Sequence, residues 1–227
     1  MLAGGKAERL GEAAQGKPKS LVPVAGRPLV AYQLARLAAA GVDRAIIACA
    51  AGRGAEFERE LADTGPEIVV VEEPEPLGRG GGIRMAASWR RDPGDVYALN
   101  GDELVDVDFR ALLARHAATG ELATITVARP PSPFGVVELD RDDRVTGFSE
   151  GGQVPYWVSC GIYVLSEEAI ARFPARGDHE TTAFPELAAE GRLRAFRHHG
   201  LWLTVNTPKD LRRAEEYVSL HPEWLTP

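Results

Sequence analysis

The feature that most constrains this chain is the alternation of helix-like and strand-like patterning over its first hundred residues. From Pro28 to Ala40, Leu29, Tyr32, Leu34, Leu37 and Ala38 recur at helical spacing, and Gly41 supplies a stop signal. Ala45 to Ala50 then reads as a buried strand, Ala55 to Leu61 as a helix and Ile68 to Val71 as a second strand. Strands that alternate with helices pair in parallel through right-handed crossovers, so the expected fold is α/β, a doubly wound and mainly parallel sheet. Ligands of such sheets bind beyond the carboxyl ends of the strands. With 227 residues there is room for one substantial core but not for two full domains.

The chemistry is concentrated where that rule puts it. Leu2-Ala3-Gly4-Gly5 opens the chain, so only Met1 to Ala3 is available as a strand before the first glycine pair. Either that strand is very short or the natural chain begins further upstream. Adjacent glycines permit φ > 0 and an inward-turned set of N–H groups, a concavity suited to phosphate. Arg9 adds a planar fork of donors, and Lys17 and Lys19 add compact ammonium charges. Lysine is rare here: Lys6, Lys17, Lys19 and Lys209 are the only lysines among 26 basic residues, and three of them sit in this loop. The Gly-x4-Gly-Lys phosphate motif is absent, and Ala7 and Leu10 break Gly-x-Gly-x-x-Gly.

Further along, Gly78, Gly80, Gly81 and Gly82 crowd five positions after Glu72-Glu73-Pro74, ahead of a helix from Ile83 to about Arg90. So many glycines read as a loop against which a flat ligand lies. Tyr97-Ala98-Leu99 ends a strand at Asn100-Gly101-Asp102, where a carboxylate suits Mg²⁺. Glu103, Asp106 and Asp108 are expected to cap and solvate the helix from Phe109 to His116. The second half turns β-rich, with short strands at Thr124 to Val127, Val136 to Leu139 and Val145 to Phe148. Asp142-Asp143 marks the hairpin between the last two. Trp157 to Leu165 reads as a strand, Ser166 as the cap of a helix through Phe173, and Lys209 to Val218 as a helix. His198 and His199 read as a solvated pair.

Five of these segments together resemble the sugar-1-phosphate nucleotidyltransferases, the nucleotide-sugar pyrophosphorylases. Leu2 to Arg9 and Pro18 to Leu21 are similar to their Leu-Ala-Gly-Gly-x-Gly-x-Arg-Leu and Pro-Lys-x-Leu signature, with Ala7 in place of a glycine. Glu72 to Gly82 resembles the base-holding turn, with Arg79 replacing threonine. Gly101-Asp102 resembles the metal motif, Ser159 to Tyr163 the Asn-Ala-Gly-Ile-Tyr strand, and Trp202 to Pro208 the Trp-x-Asp-Ile-Gly-Thr-Pro segment. In the last, Thr204 stands where the family's second metal-binding aspartate is found, and Asn206 could supply a carbonyl oxygen instead.

The resemblance implies a Rossmann-like nucleotidyltransferase fold with a small β-rich acceptor-site lobe. It forms one domain over residues 1–227, whose nucleotide-binding half is about 1–110 and acceptor-binding half about 111–227. It implies Arg9 and Lys19 as catalytic residues and Leu2, Ala3, Gly4, Gly5, Glu73, Gly78 and Gly81 as nucleotide-binding. Gly135, Glu150 and Gly161 would face the acceptor, and Asp102 with Asn206 would hold Mg²⁺. The expected substrates are an NTP, with a lean to GTP because Glu73 can only accept hydrogen bonds from the two donors of guanine, and a sugar 1-phosphate. The family's acceptor-clamping lysine is missing, since Gly151 and Gly152 follow Glu150, leaving Arg129, Arg79 or Lys209 as substitutes. A non-sugar phosphate acceptor, or an inactive nucleotide-binding regulatory protein, remain the alternatives.

A formal net charge of −7 argues against nucleic acid or an anionic membrane as partner. Cys49 and Cys160 are expected as reduced core thiols of a cytoplasmic monomer or homodimer, with neither secretory leader nor membrane span. No fused acyltransferase repeat is expected after Pro208.

Overall fold

A computed structural model describes residues 1–132 and 134–224. After two short 3₁₀ turns, Glu8–Ala14 and Lys19–Leu21, the chain makes the small hairpin β1 (Pro23–Val24) and β2 (Arg27–Pro28) and enters helix α1 (Leu29–Ala39). There follow β3 (Arg44–Ala50), α2 (Gly54–Leu61), β4 (Glu67–Glu73), α3 (Gly78–Ala87), β5 (Val96–Leu99), β6 (Glu103–Val105) and α4 (Phe109–Thr119). The second half contributes β7 (Ala123–Ala128), the hairpin β8 (Val136–Leu139) and β9 (Val145–Ser149), β10 (Val158–Leu165) and α5 (Glu167–Ala171). It ends with α6 (Ala183–Ala189), β11 (Leu193–Arg197), β12 (Trp202–Thr204) and α7 (Pro208–Leu220).

The opening residues join the strands into one central sheet. Leu2 bridges Ala48 of β3 on one side and Asn100, just past β5, on the other, both in parallel. Hydrogen bonds from Ala3 N–H to Ala48 (2.7 Å) and from Leu2 N–H to Leu99 (2.8 Å) hold it there. The spatial order is therefore β4, β3, residues 1–3, β5, β10, β7, β11. All run parallel except β10, which is antiparallel to both β5 and β7. The doubly wound, mainly parallel expectation holds, with this one reversed strand.

Side-chain alternation along the strands sorts the helices onto two faces. On β10, Ile162 and Val164 pack with Leu37 of α1 and with Phe109 and Leu112 at the start of α4. Tyr163 and Leu165 point the other way, to Ile83 of α3, Ile170 of α5 and Phe184 of α6. A further cluster joins Leu10 and Ala14 of the first 3₁₀ turn to Leu211, Ala214 and Val218 of α7 and to Leu203 of β12. This cluster fixes the glycine loop against the last helix, about 200 residues away in sequence.

Several local expectations need correction. The glycines from Gly78 to Gly82 are not a loop but the first turns of α3. What lies against them is protein: a Cβ on Gly81 would fall 2.5 Å from the Ala175 carbonyl oxygen, and one on Gly80 2.9 Å from the His179 nitrogen. The strand β11 and helix α6 are present where the sequence had suggested no element. The hairpin at Asp142-Asp143 forms as expected, with Asp143 at φ 60°. The last residues of the tail, 225–227, lie outside the described residues. No helix among the described residues is long and apolar enough to cross a membrane.

Candidate active site

Four elements bring the site together at the carboxyl ends of the parallel strands. The 3₁₀ turn after Pro18 buries Lys19, Ser20 and Leu21 and aims the Lys19 side chain inward. β5 ends at Asn100-Gly101-Asp102, and Gly101 lies so close that a Cβ would sit 2.8 Å from the Leu2 carbonyl oxygen. β12 pairs antiparallel with β6, Thr204 opposite Glu103, and the Val205 N–H donates to the Asp102 carbonyl (3.3 Å). That pairing sets Asn206 beside Asp102. The capping box of α7 then fixes it: Asp210 Oδ2 accepts from the N–H groups of Asn206 (3.2 Å) and Thr207 (2.9 Å), while Thr207 Oγ1 accepts from Asp210.

The Lys19 ammonium, its side chain only 10% exposed, stands 2.5 Å from Asp102 Oδ2 and 2.6 Å from Asn206 Oδ1. Arg9 donates to the same Asn206 oxygen at 2.8 Å. Two cations from the opening loop thus share the Asn206 amide oxygen, and one of them, Lys19, also holds the mid-chain carboxylate of Asp102. A cavity of about 340 Å³, lined by Gly4, Gly5, Lys6, Gly11, Lys17 and Arg53 among others, adjoins the cluster through Gly5, whose carbonyl accepts the Lys19 N–H, but Arg9, Lys19, Asp102 and Asn206 do not themselves line it. Lys17 is not free in it, because its ammonium pairs with Glu60 of α2 at 3.0 Å. Gly4 and Gly5 also differ from expectation: the left-handed residues are Gly11, Gln15 and Gly16, not these two. A Cβ on Gly5 would have its closest neighbour, Lys19 Cβ, at 3.9 Å. The glycines leave open space rather than a special backbone turn.

The other assigned residues separate into groups. Leu2 and Ala3 form the short central strand segment. Glu73 ends β4, its Oε2 accepting the Leu77 N–H at 2.9 Å. Its Oε1 faces Gly4 and Gly82. Gly78 (φ 77°) and Gly81 pack on the segment from Ala175 to Gly177. Gly161 (φ 65°) lies at a bulge of β10, where a Cβ would collide with the Asn100 amide and come within 3.1 Å of Glu103 Oε1. Gly135 and Glu150 belong to the β8–β9 lobe, Gly135 against the Phe148 ring and Glu150 exposed. Arg79 is engaged elsewhere, paired with Asp178 and, at 2.7 Å, with Glu180.

The acids after Asp102 do not behave alike. Asp108 caps α4, accepting from Ala111 at 2.9 Å. Glu103, expected to be solvated, is buried under Gly161 and accepts from the Trp202 indole at 3.2 Å. Burial, then the charge of Asp102, pushes its carboxyl up to about 8. Asp106 meets His198, whose Nε2 lies 2.9 Å from Asp106 Oδ1 and 2.9 Å from the Leu201 carbonyl. His198 is therefore buried and paired, not solvated. Sequence periodicity could not reveal this, since β12 must first be laid along β6. The two thiols are free and buried as expected, raised by burial to about 11 for Cys49 and about 12 for Cys160.

A glycine-lined cavity near one buried lysine, at the carboxyl edge of a mainly parallel sheet, defines an α/β protein with its candidate site where such sheets place their ligands. The family model described as Nucleotidyl transferase matches residues 1–219, and the chain belongs to that family. It is 34% identical over 225 residues to the mannose-1-phosphate guanylyltransferase of Mycobacterium tuberculosis, covering 94% of this chain and 62% of the relative. It is 33% identical to the mannose-1-phosphate guanylyltransferase catalytic subunit beta of Drosophila pseudoobscura pseudoobscura, covering 92% and 59%. The chain thus spans about three fifths of the length of these curated relatives. The fold is shared with HddC from Yersinia pseudotuberculosis, at TM-score 0.73, 22% identity and coverage of 95% and 96%. It is shared too with a putative glucose-1-phosphate thymidylyltransferase from Bacillus anthracis, at TM-score 0.75, 17% identity and coverage of 95% and 92%.

Proposed function

We propose that this chain joins a nucleoside triphosphate, GTP by preference, to a sugar 1-phosphate and releases pyrophosphate. The observation that carries the reading is the cluster in which Lys19 holds Asp102 and Asn206 and Arg9 holds Asn206, reached from the glycine-lined cavity through Gly5. The names of the guanylyltransferase relatives support GTP and a sugar 1-phosphate as the substrate pair.

An acceptor phosphate oxygen attacks the α-phosphorus in line; the bond to the bridging oxygen breaks, and its electron pair leaves with pyrophosphate. No protein nucleophile is needed, so catalysis is positioning and charge neutralisation. The N–H groups of Gly4 and Gly5, with Arg9, hold the departing pyrophosphate. Lys19 neutralises charge growing on the α-phosphoryl group. Glu73, at the end of β4 and before the α3 that Gly78 and Gly81 pack against residues 175–177, receives the base, and Gly135, Glu150 and Gly161 face the acceptor.

The donor set also fits Mg²⁺, which takes hard oxygens, few carboxylates and several waters or phosphate oxygens. Asp102 and Asn206 already share one cation, the Lys19 ammonium, and among the described residues no group of three or more His, Cys, Asp or Glu offers a competing cage. Asp102 and Asn206 would hold the ion, which when bound supplies charge neutralisation at the phosphates.

The test is pyrophosphate release from each of the four NTPs with Mg²⁺ and a panel of sugar 1-phosphates. Release that requires both GTP and a hexose 1-phosphate is expected. Binding of NTP without release from any acceptor would overturn the reading.

A further inference from the structure

A second cavity, of about 260 Å³, opens where the base of the β8–β9 lobe meets the loop before β12. Its walls include Arg129, Trp157, His198, Trp202 and Arg213. The Arg129 guanidinium lies over the Trp157 ring at 4.7 Å from its centroid, Arg197 lies over the same ring at 5.3 Å, and the His199 ring meets it edge-on at 5.6 Å. Among the described residues, none of Arg129, Arg197 and Arg213 pairs with a carboxylate, whereas Arg44, Arg53, Arg79, Arg172 and Arg194 all do. The acid beside this cavity, Asp106, is already matched by His198.

Two unmatched guanidiniums in the wall of one concavity, Arg129 and Arg213, with a third, Arg197, over the indole that lines it, are a local reversal of sign in a chain of net charge −7. A guanidinium stacked on an indole keeps its plane fixed and its N–H edge open, the arrangement that receives a phosphate or carboxylate through two parallel hydrogen bonds. The cavity also adjoins the reacting centre. Trp202 lines it and donates its indole N–H to Glu103, the residue after Asp102. We infer that this cavity receives a second anionic group, phosphate or carboxylate, carried by the acceptor at a point remote from the phosphate that reacts. The substrate class then narrows to sugar 1-phosphates with a further negative charge. The inference rests on the reading of the Asp102 site proposed above.

Calorimetric titration of the full chain with mannose 1-phosphate and with mannose 1,6-bisphosphate tests this, as probes that differ only by the second phosphate. The bisphosphate is expected to bind about ten- to a hundredfold tighter, at one molecule per chain, the worth of one or two charge-assisted hydrogen bonds. In the double variant Arg129→Gln/Arg197→Gln, both residues exposed, the ratio falls to about threefold or less; Arg213→Gln reduces it independently. Equal affinities in the unaltered protein, an undiminished ratio in both variants, or two bisphosphates bound per chain would overturn it, the last in favour of a separate anion site. Pyrophosphate release on the same preparation separates the two readings. Release with a ratio near one removes only the cavity assignment, and a large ratio without release removes only the transferase assignment.

Discussion

Replacing Gly81 by alanine sets two opposed effects against each other. In a helix interior the change gains about 1 kcal/mol, because alanine loses less conformational freedom than glycine. Gly81 lies within α3 and is not left-handed, so it qualifies for that gain. The new methyl group, however, would fall 2.5 Å from the Ala175 carbonyl oxygen and 2.9 Å from Leu77 Cβ. Neither can retreat cheaply: Gly177 N–H donates to Leu77 O at 2.8 Å and Gly80 N–H donates to Gly177 O at 2.9 Å, which ties the facing segment to the helix start. Overpacking against such a fixed wall costs about 1–3 kcal/mol. A 2.5 Å approach to a backbone oxygen takes the upper half of that range, about 2–3 kcal/mol, so the collision wins, with a net loss of about 1–2 kcal/mol and, for a domain of this size, a Tm lower by about 2–8 °C. Gly5→Ala is the matched control. Its methyl group meets nothing closer than 3.9 Å, so Tm stays within about 2 °C, while GTP binding weakens because the space proposed for phosphate is filled. Calorimetric or fluorescence melts of both variants decide the matter. A Gly81→Ala protein as stable as the parent would show that the glycines of α3 are there for a ligand and not for the contact with residues 174–177.

Lys19→Ala is expected to lower kcat by about 10²–10³, the usual cost of removing one preorganised electrostatic donor, and near-parental pyrophosphate release would reject its role. Asn206→Ala removes an oxygen shared by Lys19 and Arg9 and should raise the Mg²⁺ concentration needed for half-maximal release, measured by metal titration, while Tm changes little. The His198–Asp106 pair gives a pH signature. Burial works against the His198 charge, but the adjacent Asp106 carboxylate and the Leu201 carbonyl outweigh it and raise its pKa above 6.5, while Asp106 itself, with burial likewise outweighed, is lowered below 3.8. The histidine's contribution is complete below pH 6.5 and disappears as pH rises through its raised pKa; that of the aspartate is complete above 3.8 and disappears as pH falls through its lowered one. His198→Gln should therefore cost most near pH 5–6, about 1–2 kcal/mol, and progressively less towards pH 9. Melts of both proteins from pH 5 to 9 that stay a constant distance apart would refute the pairing.

What the sequence disclosed and what it withheld follow from the range over which each signal acts. The strands and helices with strong periodicity, such as Ala45 to Ala50 and Leu29 to Ala39, are local and were legible. The helix over Gly78 to Gly82 was not, because its stability comes from backbone packing against Pro174 to Gly177, about 95 residues later. Glycine reads as a breaker only until a partner is known that nothing larger could approach. The burial of Glu103 and His198 depends likewise on β12 lying along β6, a pairing between segments about a hundred residues apart. The meeting of Lys19 with Asn206 spans 187 residues, and no composition or spacing announces it; only the resemblance of separate motifs to one family put both on one site.

The concentration of lysine in the opening loop was a single sequence signal, and the structure divides it into three causes. Lys6 is exposed and lies 3.7 Å from an equally exposed Glu8, a contact worth little in water. Lys17 reaches Glu60 and fastens the loop to α2. At Lys19 the ammonium itself is required. It is held at 2.5 and 2.6 Å by two oxygens in a setting where its side chain is one-tenth exposed, and a compact group with three rotatable donors can satisfy both from one atom. A guanidinium, planar and broader, would have to part Asp102 from Asn206 to enter, and Arg9 already takes the approach to Asn206 that a fork can use. Lysine at 19 and arginine at 9 are therefore not interchangeable choices of charge. The buried position fits the ion whose charge is smallest in extent, and the exposed one the ion that can bind along a phosphate edge.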